Sequence, residues 1–352
     1  MKFYNKRINI RHNGKIYGAR SDKHIPLGGG NGYGDIILKG DFLIDSIDSL
    51  LEALVRADKG TVIVIKSGTV LDCTERIYTD KLVFKVKGGI TITGDRGNKK
   101  SKGPLIKSDS FPTNPLFLIE GDKVRITGIR IKGPDPKRRM EHHKRSFDPH
   151  RGDSKVQHEY YYRFPISTGI QTSANQLVID NCELSGWSHA AVLIGGGNGH
   201  HIHHCYIHHN QYNGLGYGVC LDKTSARISH NLFNWNRHSI AGTGAPGTSY
   251  EAHDNIELGA TLSHCFDMHG GSDRQDGTNI AGDVIFIHHN TFFPKLCKPI
   301  VIRGEPRKRL EITNNWFEGY SKNFPNKPAV RAEGNNIIWD NFPSSSSWNK
   351  EW

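Results

Sequence analysis

From about residue 60 onward the chain alternates apolar and polar residues in short runs and never sustains the 3.6-residue period of a long helix. One such run, residues 177–184, recurs at 200–207, 226–233, 250–257, 285–292, 310–317 and 336–342. Its third position reads Ile179, Ile202, Ile228, Ala252, Ile287, Ile312 and Ile338, at spacings of 23, 26, 24, 35, 25 and 26 residues. Its sixth position reads Cys182, Cys205, Asn231, Asn255, Asn290, Asn315 and Asn341, and looser copies fall at 90–94 and 124–128. Short strands repeated at this period predict an all-β fold, a parallel solenoid whose stacked Asn side chains bond along the axis at about 4.8 Å per rung.

One earlier stretch has helical period. Over 44–57, Ile47, Leu50, Leu51, Leu54 and Val55 share a face, Asp45 or Ser46 can cap the start, and Gly60 ends it. It predicts an N-terminal helical cap over the open first rung, within an extension of residues 1–59 ahead of a solenoid of 60–352. The glycines at 28–34 approach a phosphate-loop spacing, but no strand precedes them and no helix follows, so the segment reads as a loop.

The Ile column and Asn ladder resemble the right-handed parallel β-helix of the pectate-lyase-like superfamily over residues 60–342. That resemblance implies the fold; the superfold hosts several chemistries, so activity must be argued from a site.

A second strand per rung aligns on the apolar centres Ile170, Val192, Val219, Ile240, Met268, Ile302 and Val330, which face inward. One outward column then reads Gln171, Leu193, Cys220, Ala241, His269, Arg303 and Arg331. Its companion reads Gly169, Ala191, Gly218, Ser239, Asp267, Val301 and Ala329, with Asp222, Thr243, Gly271, Glu305 and Glu333 two residues beyond the first column. Small residues thus flank one rung bearing Asp267 and His269. His titrates near neutrality and can take a proton, Asp267 can orient it, and Arg303 and Arg331 offer planar forks for a carboxylate. Abstracting the proton α to a uronate carboxylate requires that combination, because the enolate-like charge needs a fixed cation.

The run Phe266-Asp267-Met268-His269 resembles the Asp-Pro-His element of β-helical mannuronan C5-epimerases, with Met268 in place of the proline and Gly270 where an acid is common. The resemblance implies that Asp267 and His269 lie on a catalytic strand. A closer string, Phe147-Asp148-Pro149-His150, sits in a basic insertion at 134–165, outside the repeat register. The Trp-x-Asp-His element of pectate lyases is absent from the sequence, which argues against calcium-pectate chemistry. His238 and Tyr250 are further catalytic candidates, and Glu251, Asp222, Glu305 and Tyr217 join Arg331 as candidate substrate-binding residues.

Composition sharpens this reading. Lys and Arg exceed Asp and Glu by 46 to 35, a net charge of +11, which directs attention to a polyanionic partner. No recognition helix or aromatic RNA-binding motif accompanies the charge, so an acidic polysaccharide or oligosaccharide is expected rather than nucleic acid. No apolar run approaches a membrane span and the first residues lack a secretory core, so the compartment stays open, with a secreted or periplasmic site favoured by the expected substrate. The six Cys show no zinc-finger spacing and read as mostly buried free thiols.

Of the 20 His, His204, His230 and His289 fall beside the ladder, where stacking explains them without a metal. No metal site is assigned and no cofactor is firmly predicted; calcium, through Asp222, Glu251 and Glu305, is the ion the acids could hold. The expected activity is a polysaccharide lyase acting by β-elimination on a uronate-containing chain. The alternatives are a C5-epimerase at the same site, a glycoside hydrolase pairing Asp267 with Asp222, Glu305 or Glu251, and a non-catalytic glycan-binding β-helix. A monomer is expected, with a trimer as the other state.

Overall fold

The computed structural model describes residues 7–22, 26–134, 150, 165–211, 215–261, 263–294, 297–318, 330–332 and 337–343. Among them, strands form a 19-stranded sheet, a 9-stranded sheet and a two-stranded ribbon. The ribbon pairs Asn9–His12 with Lys15–Gly18 antiparallel. In the two large sheets each strand pairs in parallel with its counterpart one turn away. A single turn supplies Val178–Asp180 and Glu183–Ser185 to the long sheet and Ala190–Ile194 to the nine-stranded one.

The alternation read from the sequence explains this coil. Ile126, Ile179, Ile202, Ile228, Ala252, Ile287 and Ile312 stack in register and are fully buried. Each larger side chain removed from water there contributes about 1.5–3 kcal/mol. The last rung departs from the expected column: Ile312 pairs with Trp339, and Ile338 is 48% exposed. A one-residue slip reverses every side chain on a strand, and a register irregularity between Thr313 and Trp316 restores Asn341 to the ladder.

The ladder itself runs through Asn231, Asn255, Asn290, Asn315 and Asn341, each Nδ2 donating to the next Oδ1 at 2.8–3.0 Å. The same Nδ2 of Asn255 donates to the Ile228 carbonyl at 2.8 Å, so the bend leaves no buried amide unpaired. The residues before Cys182, Cys205, Asn231, Asn255, Asn290 and Asn315 adopt a left-handed conformation: Asn181, His204, His230, Asp254, His289 and Asn314 have φ between 51° and 57°. Asn, Asp and His tolerate that region better than other non-glycine residues, which accounts for the bend histidines. A second, shorter ladder links Asn210 Nδ2 to Asn236 Oδ1 at 2.9 Å.

The helix α1, Ile47–Arg56, starts at Ser46, whose side chain accepts from Ser49 N. Leu50, Ala53 and Leu54 enter the main core, with Ile47 and Leu51 packed against it. Val55, assigned to the same face, is 73% exposed. The strand Phe42–Ile44 already pairs with Val62–Ile65, so the coil's first strand precedes the helix. A second helix, α2 at Thr74–Asp80, was not anticipated; Lys81 ends it in the left-handed region.

The glycine loop grips the coil by its backbone. Gly28 N donates to His230 O at 2.8 Å and Gly30 N to Asn181 Oδ1 at 2.8 Å. A Cβ on Gly29 would lie 2.3 Å from His204 O, so only glycine fits the approach. Arg20 completes the attachment with a bidentate pair to buried Asp254, at 2.8 and 2.7 Å. All six cysteines are free thiols, five of them buried. No helix among the described residues is long and apolar enough to cross a membrane.

Candidate functional site

Asp267 lies in the strand Phe266–Met268 of the nine-stranded sheet, and its side chain is fully buried. Arg303 grips it with two parallel bonds, Nη2 to Oδ2 at 2.6 Å and Nε to Oδ1 at 3.1 Å. Two imidazoles face the same oxygen: His238 Nε2 at 3.4 Å and His269 Nε2 at 3.3 Å. Burial alone would raise the Asp267 carboxyl, but His238, His269 and Arg303 override it and hold the acid well below the usual carboxylate range. Burial opposes the charge on Arg303 in turn, and Asp267 and Asp273 keep it firmly protonated.

The register on this sheet differs from the sequence alignment by two residues. Phe266, not Met268, pairs with Ile240, which sets Asp267 beside Ala241, and the His269 N–H donates to Gly242 O. Both Phe266 and Met268 are apolar and inward, so the pattern could not choose between them. Packing does: the Phe266 ring meets Phe233 at 6.2 Å and Phe292 at 5.0 Å inside the coil. The outward column is therefore Gln171, Leu193, Cys220, Ala241, Asp267, Val301 and Arg331. Arg331 lies two rungs from Asp267, and its side chain is outside the described residues.

The small residues do not leave this column open. Cys220, Ala241 and Val301 are all buried, and Cys220 and Ala241 pack with Ala190, Leu215 and Tyr217 in a separate apolar cluster. Solvent reaches instead a neighbouring row on successive rungs, Asp222, Thr243, His269 and Arg303. There Thr243 Oγ1 donates to Asp222 Oδ1 at 2.6 Å, and His269 is 28% exposed.

His238 takes its place through a break in alternation. Ala191 and Val192 both enter the main core, so the preceding position, Ala190, Tyr217 and His238 on successive rungs, turns outward. The His238 ring stacks on Tyr217 at 5.7 Å and on His264 at 5.3 Å, and its Nδ1 hydrogen-bonds the His264 carbonyl at 2.7 Å. Burial first, then Arg237, pushes the imidazole toward its neutral form against the pull of Asp267. Ser239, expected outward, points inward, where Asn236 Nδ2 donates to its Oγ at 3.1 Å.

Two residues at this site were not singled out from the sequence. Asp273, on the short helix α3 (Gly271–Arg274), faces His269 Nδ1 at 3.6 Å and Arg303 Nη1 at 3.3 Å. Its position four residues after His269 was the available signal. Arg237 lies 5.9 Å over the Tyr217 ring, and its buried Nε makes no hydrogen bond.

Other expected residues are placed elsewhere. Tyr250 sits on the long sheet and points into the core, 2% exposed, so its hydroxyl cannot reach a substrate. Glu251, next to it, faces His288 Nε2 at 3.2 Å and Arg227 Nε at 3.9 Å. Glu305 is exposed beyond the end of the strand Ile300–Ile302. Asp222, Glu251 and Glu305 therefore do not converge on a calcium ion. Asp267, ion-paired and sealed, cannot serve as the protonated acid of a carboxylate pair. The string at 147–150 lies outside the described residues except His150, as does most of the basic insertion. A cavity of about 360 Å³ lined by Arg130, Lys132, Glu183, His208 and His209 opens on the long sheet, apart from the Asp267 cluster.

No family model matches the chain, and no curated protein matches it. Among solved structures, an alginate lyase from Paenibacillus sp. str. FPU-7 aligns over 85% of this chain and 97% of its own, at 14% identity and a TM-score of 0.46. A family 28 exopolygalacturonase from Yersinia enterocolitica aligns over 83% of this chain and 57% of its own, at 12% identity and a TM-score of 0.50. The chain is a parallel β-helix. At these identities the likeness is one of fold, and the chemistry of this β-helix has to come from its own residues.

Proposed function

We propose that this β-helix is a carbohydrate-active enzyme that cleaves an acidic, uronate-containing polysaccharide by β-elimination. The observation that carries the reading is the Asp267–His269 pair. A sealed carboxylate holds Nε2 of a ring whose opposite edge, Nδ1, lies on the accessible row beside Asp273. Asp267 fixes the tautomer and stabilises the imidazolium, and Nδ1 takes the proton from C5 of a bound uronate. The electron pair left at C5 forms the C4–C5 double bond as the bond from C4 to the glycosidic oxygen breaks. The imidazolium returns its proton to that departing oxygen.

Arg303 was expected to clamp the substrate carboxylate, but its fork is occupied by Asp267 and Asp273. Its part is to hold Asp267 ionised. The carboxylate-binding role passes to Arg237, a half-buried residue next to His238 whose guanidinium lies over the Tyr217 ring. The similarity to an exopolygalacturonase and the net charge of +11 agree with an acidic glycan. Both are broader than the choice of reaction.

The test is turnover of alginate, polygalacturonate and glucuronan, followed by ultraviolet absorbance of the unsaturated uronate. His269→Ala should lower the rate by about 10²–10⁴-fold. Solvent deuterium at C5 without unsaturation would assign the chain to epimerisation. Reducing ends without unsaturation, or wild-type activity in His269→Ala, would overturn proton abstraction by this residue.

A further inference from the structure

One group of side chains away from the Asp267 site has the chemistry of a transition-metal centre. Asp22, in the N-terminal segment, and His204 and His230, at the bends of two successive rungs, bring one ligand atom each to within 4.8 Å of one another. The His204 and His230 rings are stacked 8° from parallel with centroids 4.8 Å apart. His204 is 4% exposed, and its Nε2 faces Asp22 Oδ2 at 4.0 Å, too far for a hydrogen bond. That nitrogen is buried with no hydrogen-bond partner. We propose that Asp22, His204 and His230 bind a zinc ion that staples the N-terminal segment to the coil.

The bend fits this assignment. His204 Nδ1 lies 2.9 Å from His203 Nδ1. If His204 donates there, its Nε2 carries the lone pair a metal requires, the usual arrangement of a ligating imidazole.

Two neutral imidazoles and one carboxylate suit a borderline divalent ion better than calcium, which takes oxygen ligands. A tetrahedral zinc shell has ligand edges of about 3.3 Å, so closure needs exposed Asp22 to move by about an ångström and one of the two parallel rings to turn its lone pair toward the same point. The backbone around the site is already fixed by Gly28 N donating to His230 O and by the close approach of Gly29 to His204 O. A fourth position remains for water.

The experiment uses the full chain stripped of metal with a chelator. Titration with zinc alone, followed by calorimetry and elemental analysis, should give one ion per chain and raise the melting temperature. Cobalt should give the intense visible bands of a tetrahedral site. Asp22→Asn, a surface change that leaves the coil intact, should weaken zinc binding at least tenfold and abolish the thermal shift. His230→Gln should do the same. His269→Ala should bind zinc like the wild type, which separates this site from the proposed catalytic one. Failure of the stripped chain to take up stoichiometric zinc, or uptake unchanged in Asp22→Asn and His230→Gln, overturns the assignment.

Discussion

Replacing Glu257 by Gln isolates the consequence of a carboxyl sealed inside the coil. Glu257 is fully buried on the long sheet, and neither of its oxygens makes a hydrogen bond of normal geometry, although Ser239 is close enough to temper its charge. Burial raises it from 4.5 to about 8. The folded state therefore binds a proton more tightly than the unfolded chain. The stability this confers is fully present below about pH 4.5 and is lost as the pH rises through about 8. A difference of about 3.5 units at about 1.4 kcal/mol each is on the order of 5 kcal/mol, an upper figure because water penetration relaxes the cost. Gln has the same shape and no charge to lose. In urea unfolding across pH 5 to 9, the two proteins should be alike at the acid end. At the alkaline end Glu257→Gln should be the more stable by several kcal/mol. Taking the difference cancels every other titrating group. Parallel pH profiles for the two proteins, or a gap that opens toward acid, would refute the reasoning.

Two further outcomes follow from the same structure. Asp267→Asn removes the carboxylate charge that holds Nε and Nη2 of Arg303, so it should cost about 3–5 kcal/mol in urea unfolding and abolish turnover. Arg303→Met in the same background should recover part of that stability without recovering activity. Asn255→Ala breaks the ladder between Asn231 and Asn290, removing the side-chain partner of the Ile228 carbonyl and of the Asn231 backbone N–H. A loss of about 2–4 kcal/mol in the melting of the whole coil is expected, with hydrogen exchange quickened first at the adjoining bends.

How far the sequence could be read depended on repetition. The inward Ile column and the Asn ladder appear once per turn, so each rung confirms its neighbours and a mistake in one is visible against the rest. The final rung shows the limit: Ile338 continues the apolar pattern by eye, yet a local irregularity turns it to solvent and brings Trp339 into pairing. On the nine-stranded sheet the difficulty was sharper. Phe266 and Met268 satisfy the same pattern, and only the fit of the Phe266 ring against Phe233 and Phe292 selects the register. The site shifted with it. Asp267, His269 and Arg303 do come together, but Tyr250, Glu251 and Glu305 lie on other faces or inside the coil.

The sequence by itself determined the coil, the length of its turn and the ladder, because alternation and a fixed period are one-dimensional properties of the chain. It also named Asp267 and His269, since two polar residues flanking one apolar position on a strand must share a face. Tertiary structure decided what that face does. It turned His238 outward through a break in alternation, and it committed Arg303 to Asp267 instead of to a ligand. It also carried Asp22 across from a separate segment. Those outcomes depend on which rings fill the interior and which distant segments pack against a bend, and no periodicity along a single chain encodes either.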